Sequence, residues 1–324
     1  MRARGPRHFA ALDLGTNNCR LLIARPQAGG FAVIDAFSRI VRLGEGLAAS
    51  GALSDAAIER TIAALRVCAD KLKRRNVTLS RAVATEACRR ASNGAAFIER
   101  VHAETGIRLS IITAKEEARL AVLGCHPLIE PGEGPALIFD IGGGSTELVL
   151  VDPQPDGTPL ILDWQSAPWG VVSLSEIEPG ATDADPGTRL AAYARMRARV
   201  AESFADFAAR MPVDTPRRLL GTSGTVTTLA SVHLGLPSYD RSQIDGLVMP
   251  AAAMRAICID LSRRSVGERA EFPCIGAERA DLVVAGCAIL EAIFDLWPAE
   301  RLGIADRGIR EGILRTLMAG ELHP

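Results

Sequence analysis

The stretch FAALDLGTNNCRLLI, residues 9–23, aligns without a gap on ALIFDIGGGSTELVL, residues 136–150. At this spacing of 127 residues Asp13 falls on Asp140, Gly15 on Gly142, Arg20 on Glu147 and Leu21 on Leu148. Each copy reads as an apolar strand, an Asp-x-Gly turn with small polar residues, and a second apolar strand: a β-hairpin with a glycine-bearing turn. Glycine permits positive φ and lets backbone N–H groups converge on one point, as in an anion-binding nest. Asn17, Asn18, Ser145 and Thr146 add short polar side chains. An aspartate at the strand end would repel a bare phosphate, so Asp13 and Asp140 make sense with a divalent cation between. One such hairpin is an ordinary turn. Two in register open two related halves.

Outward from the hairpins, the pattern alternates. In the first half it predicts a strand near 31–37, a helix near 55–75, a strand at 82–85, a helix near 95–104, a strand at 108–112 and a helix from 114. Ile58, Ile62, Leu65, Ala69 and Leu72 recur at helical spacing behind the N-cap Ser54. The basic end of that helix, 71–75, complements the helix dipole rather than marking a nucleic-acid surface. The second half reads as strands near 136–151 and 160–166, a helix near 190–210, a strand at 218–220, a turn at 221–225 and a helix. Helices near 251–262 and 277–295, a strand near 301–304 and a closing helix follow. The Pro- and Gly-rich stretch 127–135 reads as a hinge, and 178–187 as a loop. Strands alternating with helices indicate an α/β fold with two sheets.

Composition limits the function classes. A chain of 324 residues, 48% hydrophobic, can bury two cores. No apolar run approaches a membrane span, and the apolar stretch behind the basic MRARGPRH is too short for a signal peptide. Seven dispersed cysteines without a Cys-x-x-Cys pair point to a cytoplasmic protein without structural zinc. Residues 1–135 carry 20 Lys and Arg against 13 Asp and Glu, and residues 136–324 carry 17 against 25. A basic half and an acidic half suit a polyanion on one side and a metal on the other; surface charge that merely varies along the chain is the alternative.

Individual residues can be placed on this frame. Thr113 and Glu116 have capping-box spacing, which gives Glu116 a structural role. Glu117 shares a helix stripe with Ala121 and Gly124 and by pattern alone reads as a solvated helix charge. Arg89 and Arg90 follow a strand and read as surface charges or as substrate contacts. The turn GTSGT at 221–225, between a strand and a helix, is either an ordinary turn or a third phosphate cradle.

Taken together, DLGTNNCR (13–20), VRLGEGL (41–47), ATEACR (84–89), EEARL (116–120), DIGGGSTE (140–147), GTSGT (221–225), ERAD (278–281) and DRGIREGIL (306–314) carry a resemblance over nearly the whole chain. The chain resembles the exopolyphosphatase/guanosine pentaphosphate phosphohydrolase (Ppx/GppA) family of the actin-like ATPase superfamily. That resemblance implies two related ribonuclease H-like domains, 1–130 and 131–324, with an interdomain cleft and with the final helix packing back on the first domain. It implies that Glu117 is the catalytic base and Glu147 the second essential carboxylate, with Asp13, Asp140 and Glu147 near magnesium and potassium as a further activator. It assigns substrate binding to Gly15, Thr16, Asn17, Asn18, Arg20, Arg89, Gly142, Gly143, Gly144, Ser145, Gly221, Ser223, Gly224, Thr225 and Arg279. The expected substrate is inorganic polyphosphate, with guanosine penta- or tetraphosphate as the alternative, and the expected assembly is a homodimer of the short, two-domain form, without nucleic acid or membrane. One departure stands out: the family usually has a hydroxyl residue where this chain has Asn18. A kinase of the same fold and a non-catalytic alarmone sensor are the rival readings.

Overall fold

The computed structural model describes residues 7–154, 157–211 and 218–322; the basic residues 1–6 lie outside it. The chain forms two compact units, residues 1–124 with 309–324, and residues 125–308.

The first unit runs β1 (His8–Leu14), β2 (Asn18–Gln27), β3 (Gly30–Ile40), α1 (Leu47–Ser50), α2 (Asp55–Arg74), β4 (Val77–Ala84), α3 (Glu86–Arg90), α4 (Gly94–Thr105), β5 (Leu109–Ile111) and α5 (Ala114–Cys125). Its sheet has the order β3-β2-β1-β4-β5, antiparallel from β1 to β3, with β4 and β5 parallel to β1. Alternation along the strands divides the core in two. Ala10, Leu12, Leu14, Cys19, Leu21 and Ile23 face α2 and α4 through Ile62, Leu65, Phe97 and Val101. Phe9, Ala11, Leu22 and Ala24 face Leu120 and Ala121 of α5 and Ile313 and Leu314 of the C-terminal helix Ile309–Leu322. By the same alternation, Asp13 and Arg20 project to the α5 side. Gly312 permits that docking, since a Cβ there would overlap the backbone of Leu120.

The second unit runs β6 (Ala136–Ile141), β7 (Thr146–Pro153), β8 (Pro159–Ala167), α6 (Val171–Ile177), α7 (Pro186–Arg210), β9 (Arg218–Thr222), α8 (Gly224–His233), α9 (Arg241–Ile244), β10 (Val248–Pro250), α10 (Ala251–Arg263), α11 (Val266–Ala270), α12 (Val283–Leu296) and β11 (Arg301–Ala305). The order β8-β7-β6-β9-β11 repeats that of the first sheet, and β10 adds an antiparallel edge. Leu137, Phe139, Ile141, Leu148 and Leu150 pack with Met196, Val200, Phe204, Leu229 and Ile289 of the helices. Two ribonuclease H-like sheets of matching order are the duplicated architecture of the actin-like ATPase fold: the duplication follows the repeated hairpin, and the fold is the one the resemblance implies. Among the described residues no helix is long and apolar enough to cross a membrane.

Three expected boundaries move. The strand expected at 82–85 starts at Val77, because its first residues also pair with β1; their exposure and lack of apolar alternation conceal them in the sequence. The helix expected at 277–295 begins only at Val283, since Arg279 and Leu282 make successive turns after the left-handed Gly276. The loop expected at 178–187 contains a 3₁₀ turn, Pro179–Thr182, and the start of α7. Pro186 suits the first helical turn, and Asp185 caps it by accepting from the Thr188 N–H at 2.7 Å.

Candidate active site

The two glycine turns are built alike. Gly15 N–H donates to Asn18 O at 2.9 Å, and Gly142 N–H donates to Ser145 O at 2.9 Å. In the first turn the carbonyls of Thr16 and Asn17 accept from Gly44 N, Val41 N and Arg42 N at 2.8–3.0 Å. In the second, Gly142 O and Gly143 O accept from Val171 N and Val172 N at 3.0 and 2.8 Å, and Gly144 O accepts from Ser173 Oγ at 3.1 Å. In a trans peptide the N–H points opposite to the carbonyl it is bonded to. Tying down these carbonyls therefore turns the N–H groups of Asn17, Gly143, Gly144 and Ser145 the other way, and they have no acceptor among the described residues. Gly44 and Gly170 allow the clamping segments to approach: a Cβ at Gly44 would strike the Thr16 side chain, and one at Gly170 the backbone of Gly143 and Gly144. Thr146, buried, donates to Trp169 O at 2.6 Å and serves the clamp rather than the turn.

Electrostatics distinguish the turns. Asp140 lies directly across from Glu147 on β6 and β7, so two carboxylates share one face. Glu147, 2% exposed, accepts from Ser166 Oγ at 2.8 Å. Like charges in direct opposition are destabilising and become tolerable with a cation between them. Two carboxylate oxygens fit a magnesium ion, which takes one or two carboxylates and fills its remaining positions with water and phosphate oxygens. No cluster of three His, Cys, Asp or Glu suited to a metal occurs among the described residues.

In the first unit Asp13 lies across from Arg20 instead. Burial pushes the Asp13 carboxyl above its usual range, Arg20 and Arg310 pull it down, and Glu311 raises it. Arg310 and Glu311 belong to the 306–314 motif, and the docking of the C-terminal helix brings their charges to bear on Asp13. Asp13 Oδ1, Asn17 Oδ1 and Asn18 Oδ1 are shielded from solvent without a hydrogen-bond partner among the described residues.

Glu117 is 7% exposed, which replaces the solvated-charge reading with a buried carboxylate. Arg89 explains the burial: Nη1 donates to Glu117 Oε2 at 3.0 Å and to Ile112 O at 2.8 Å, while Nε and Nη2 donate to Glu86 Oε2 at 3.0 and 2.5 Å. Most of the Arg89 fork is thus occupied inside the protein. Glu116 N–H does bond Thr113 Oγ1 at 3.2 Å, but the Glu116 carboxylate pairs with Arg119 and Arg81 at 2.7 and 2.9 Å instead of completing the capping box.

In the 221–225 turn the side chains serve the fold. Gly221 lies against Phe139, Thr222 Oγ1 donates to Arg307 O at 2.6 Å, and Ser223 Oγ donates to Ile141 O at 2.6 Å. Thr225 packs under Gly286 of α12. Ser223 adopts φ 91°, a conformation costing about 1–3 kcal/mol outside glycine. What this turn can offer an anion is the N-terminal amides of α8, beginning at Gly224. Arg279 Nη1 reaches Thr228 Oγ1 on α8 at 3.2 Å.

A family model described as the Ppx/GppA phosphatase family matches residues 22–321. The chain is 30% identical over 321 residues to exopolyphosphatase 2 of Mycobacterium tuberculosis, covering 95% of this chain and 98% of that protein. It is 29% identical to a guanosine-5'-triphosphate,3'-diphosphate pyrophosphatase of Aeromonas salmonicida, covering 96% of this chain and 59% of that protein. Among solved structures, a Ppx/GppA family member from Aquifex aeolicus matches with TM-score 0.79 and 30% identity, covering 98% of this chain and 99% of that one.

Proposed function

The chain belongs to the Ppx/GppA phosphatase family, and from that premise we propose that it is an exopolyphosphatase, releasing terminal phosphate from inorganic polyphosphate by magnesium-assisted hydrolysis. The observation that carries this reading is the turn at 142–145, where three outward N–H groups adjoin the opposed carboxylates Asp140 and Glu147. Amides of this kind bind phosphoryl oxygens without reorganisation, which stabilises charge developing in the transition state. Asp140 and Glu147 would hold the metal ion, which when bound supplies positive charge to the phosphoryl oxygens. Glu117 orients water and takes its proton during in-line attack on the terminal phosphorus. The bridging oxygen leaves with the shortened chain. Arg89 orients Glu117, and the Asn17 amide of the first turn binds further phosphate.

Polyphosphate is favoured over a nucleotide by the basic excess of the first 135 residues and by an aromatic content of 4%, with no Tyr or Trp in any motif assigned to the site. Exposed arginines such as Arg39 and Arg90 suit a ligand that is phosphate throughout. The Aeromonas relative favours the second reading, hydrolysis of guanosine pentaphosphate. Competition kinetics with short and long polyphosphate, guanosine pentaphosphate and ATP test the choice. A much higher kcat/KM for guanosine pentaphosphate than for any polyphosphate overturns the assignment. Glu117→Gln should lower kcat by roughly 10²–10⁴-fold with an unchanged circular dichroism spectrum; near-normal turnover would remove Glu117 from the mechanism.

A further inference from the structure

We propose that Arg20 is a built-in cation that closes the first turn to metal ions, so that of two related cation-binding turns only the second binds one. The proposal rests on the assignment above of the divalent cation to Asp140 and Glu147. The two turns share the 15-to-18 and 142-to-145 closures, and each is held by a segment that follows the third strand, although the individual clamping bonds differ. Their strand frames match too. Asp13 faces Arg20, which faces Ser38 on the third strand; Asp140 faces Glu147, which faces Ser166. Within this shared three-strand frame, the charge at the middle position is inverted.

That inversion changes what the turn can hold. Asp140 and Glu147 set two carboxylates against each other, which a divalent ion would offset, whereas Asp13 is set against a guanidinium. Arg310 adds a second positive charge that acts on Asp13. An incoming metal ion would meet guanidinium rather than carboxylate across the strand. Oxygen atoms that could meet a cation are nevertheless present: Oδ1 of Asp13, Asn17 and Asn18 are buried and unpartnered among the described residues, and Asn17 is 7% exposed. Hard oxygens of this kind are what magnesium and manganese prefer. The first turn thus keeps buried, unpartnered oxygens but lacks the paired carboxylates of the second. Arg20 acts there through Asp13, as a positioning residue that fixes a carboxylate where the second unit relies on an ion.

The test is a titration of the full-length protein with Mn²⁺ alone, without substrate, following the free ion by electron paramagnetic resonance. The wild type should bind a single ion, lost in Asp140→Asn combined with Glu147→Gln. Arg20→Glu should take up a second ion, lost again when Asp13→Asn is added. Arg20→Gln, the milder change, should gain a weaker second ion and keeps the question open to experiment if Arg20→Glu does not fold, as judged by circular dichroism. Two ions on the wild type overturn the proposal, as does the absence of any gain in folded Arg20 variants. In the latter case loss of the wild-type ion from the Asp140 and Glu147 double variant leaves the functional reading standing. No ion on the wild type, or one that survives that double variant and disappears with Asp13→Asn, overturns both.

Discussion

At the residue scale, the informative side chains are those whose partners lie far off in sequence. Arg89 contacts Glu86 three positions away, but its contact with Glu117 crosses 28 positions and joins α3 to the first turn of α5. Desolvation alone would lower the Arg89 pKa, yet its two glutamates hold it above the ordinary arginine value, so the guanidinium stays charged. A lysine is a point charge and cannot satisfy both carboxylates and the Ile112 carbonyl at once. Arg89→Lys should therefore lower kcat by about 10-fold or more, the cost of a slightly misplaced base, with KM little changed. A rise in KM at constant kcat would instead make Arg89 a substrate ligand. Position-by-position pattern can list Arg89 and Glu117 but cannot pair them, since helical periodicity says nothing about the face of a neighbouring helix.

At the element scale, each turn depends on the segment that follows the third strand. Gly170 is required by close approach, because a methyl group there would collide with the Gly143 carbonyl. Gly170→Ala should displace the turn, cost about 1–3 kcal/mol as an overpacking change, and lower phosphate release; thermal melting and activity assays check both. The β3–α2 contact gives a second case. Lys71, with Arg75, holds the Asp35 carboxyl down to about 2, at distances of 2.7 and 2.8 Å. A depressed folded-state pKa contributes stability that is present above the unfolded value of 3.8 and is lost as pH falls toward 2. Asp35→Asn should thus melt lower than wild type at pH 7, by on the order of 1 kcal/mol once solvent screening is allowed for. The gap should narrow between about pH 4 and pH 2; a gap constant across that range would remove Asp35 from the acid response. The ion triad was hidden in the sequence because the basic end of α2 reads equally well as dipole compensation.

At the scale of the whole molecule, the first unit is discontinuous, built from residues 1–124 and closed by residues 309–324. Ile309, Ile313, Leu314 and Met318 of the last helix are buried against Phe9, Leu22 and Leu120. At about 1.5–3 kcal/mol for each buried side chain, their loss rivals the stability of an ordinary domain. Removing residues 309–324 should therefore leave the first unit unfolded or molten while the core of the second unit survives. Dye binding to exposed apolar surface, with a residual cooperative melt, would report this; a single native-like melt near the wild-type temperature would contradict it.

The sequence by itself determined the repeated hairpin, the α/β alternation, the glycine turns and the location of their carboxylates. Those features are local: strand alternation, helical spacing and tight turns act over a few residues, and a duplication at constant spacing shows them twice, although Gly15 and Gly142 take no positive φ. Only the tertiary structure decided that Glu117 is buried, that the charges of Arg310 and Glu311 act on Asp13, that Gly170 lies close against the turn at 142–145, and that the hydroxyls of 222 and 223 serve the fold. Each depends on which faces meet across tens to hundreds of residues. Side-chain type and spacing leave that open, because the same residues can meet water, a ligand or another part of the chain until packing selects one.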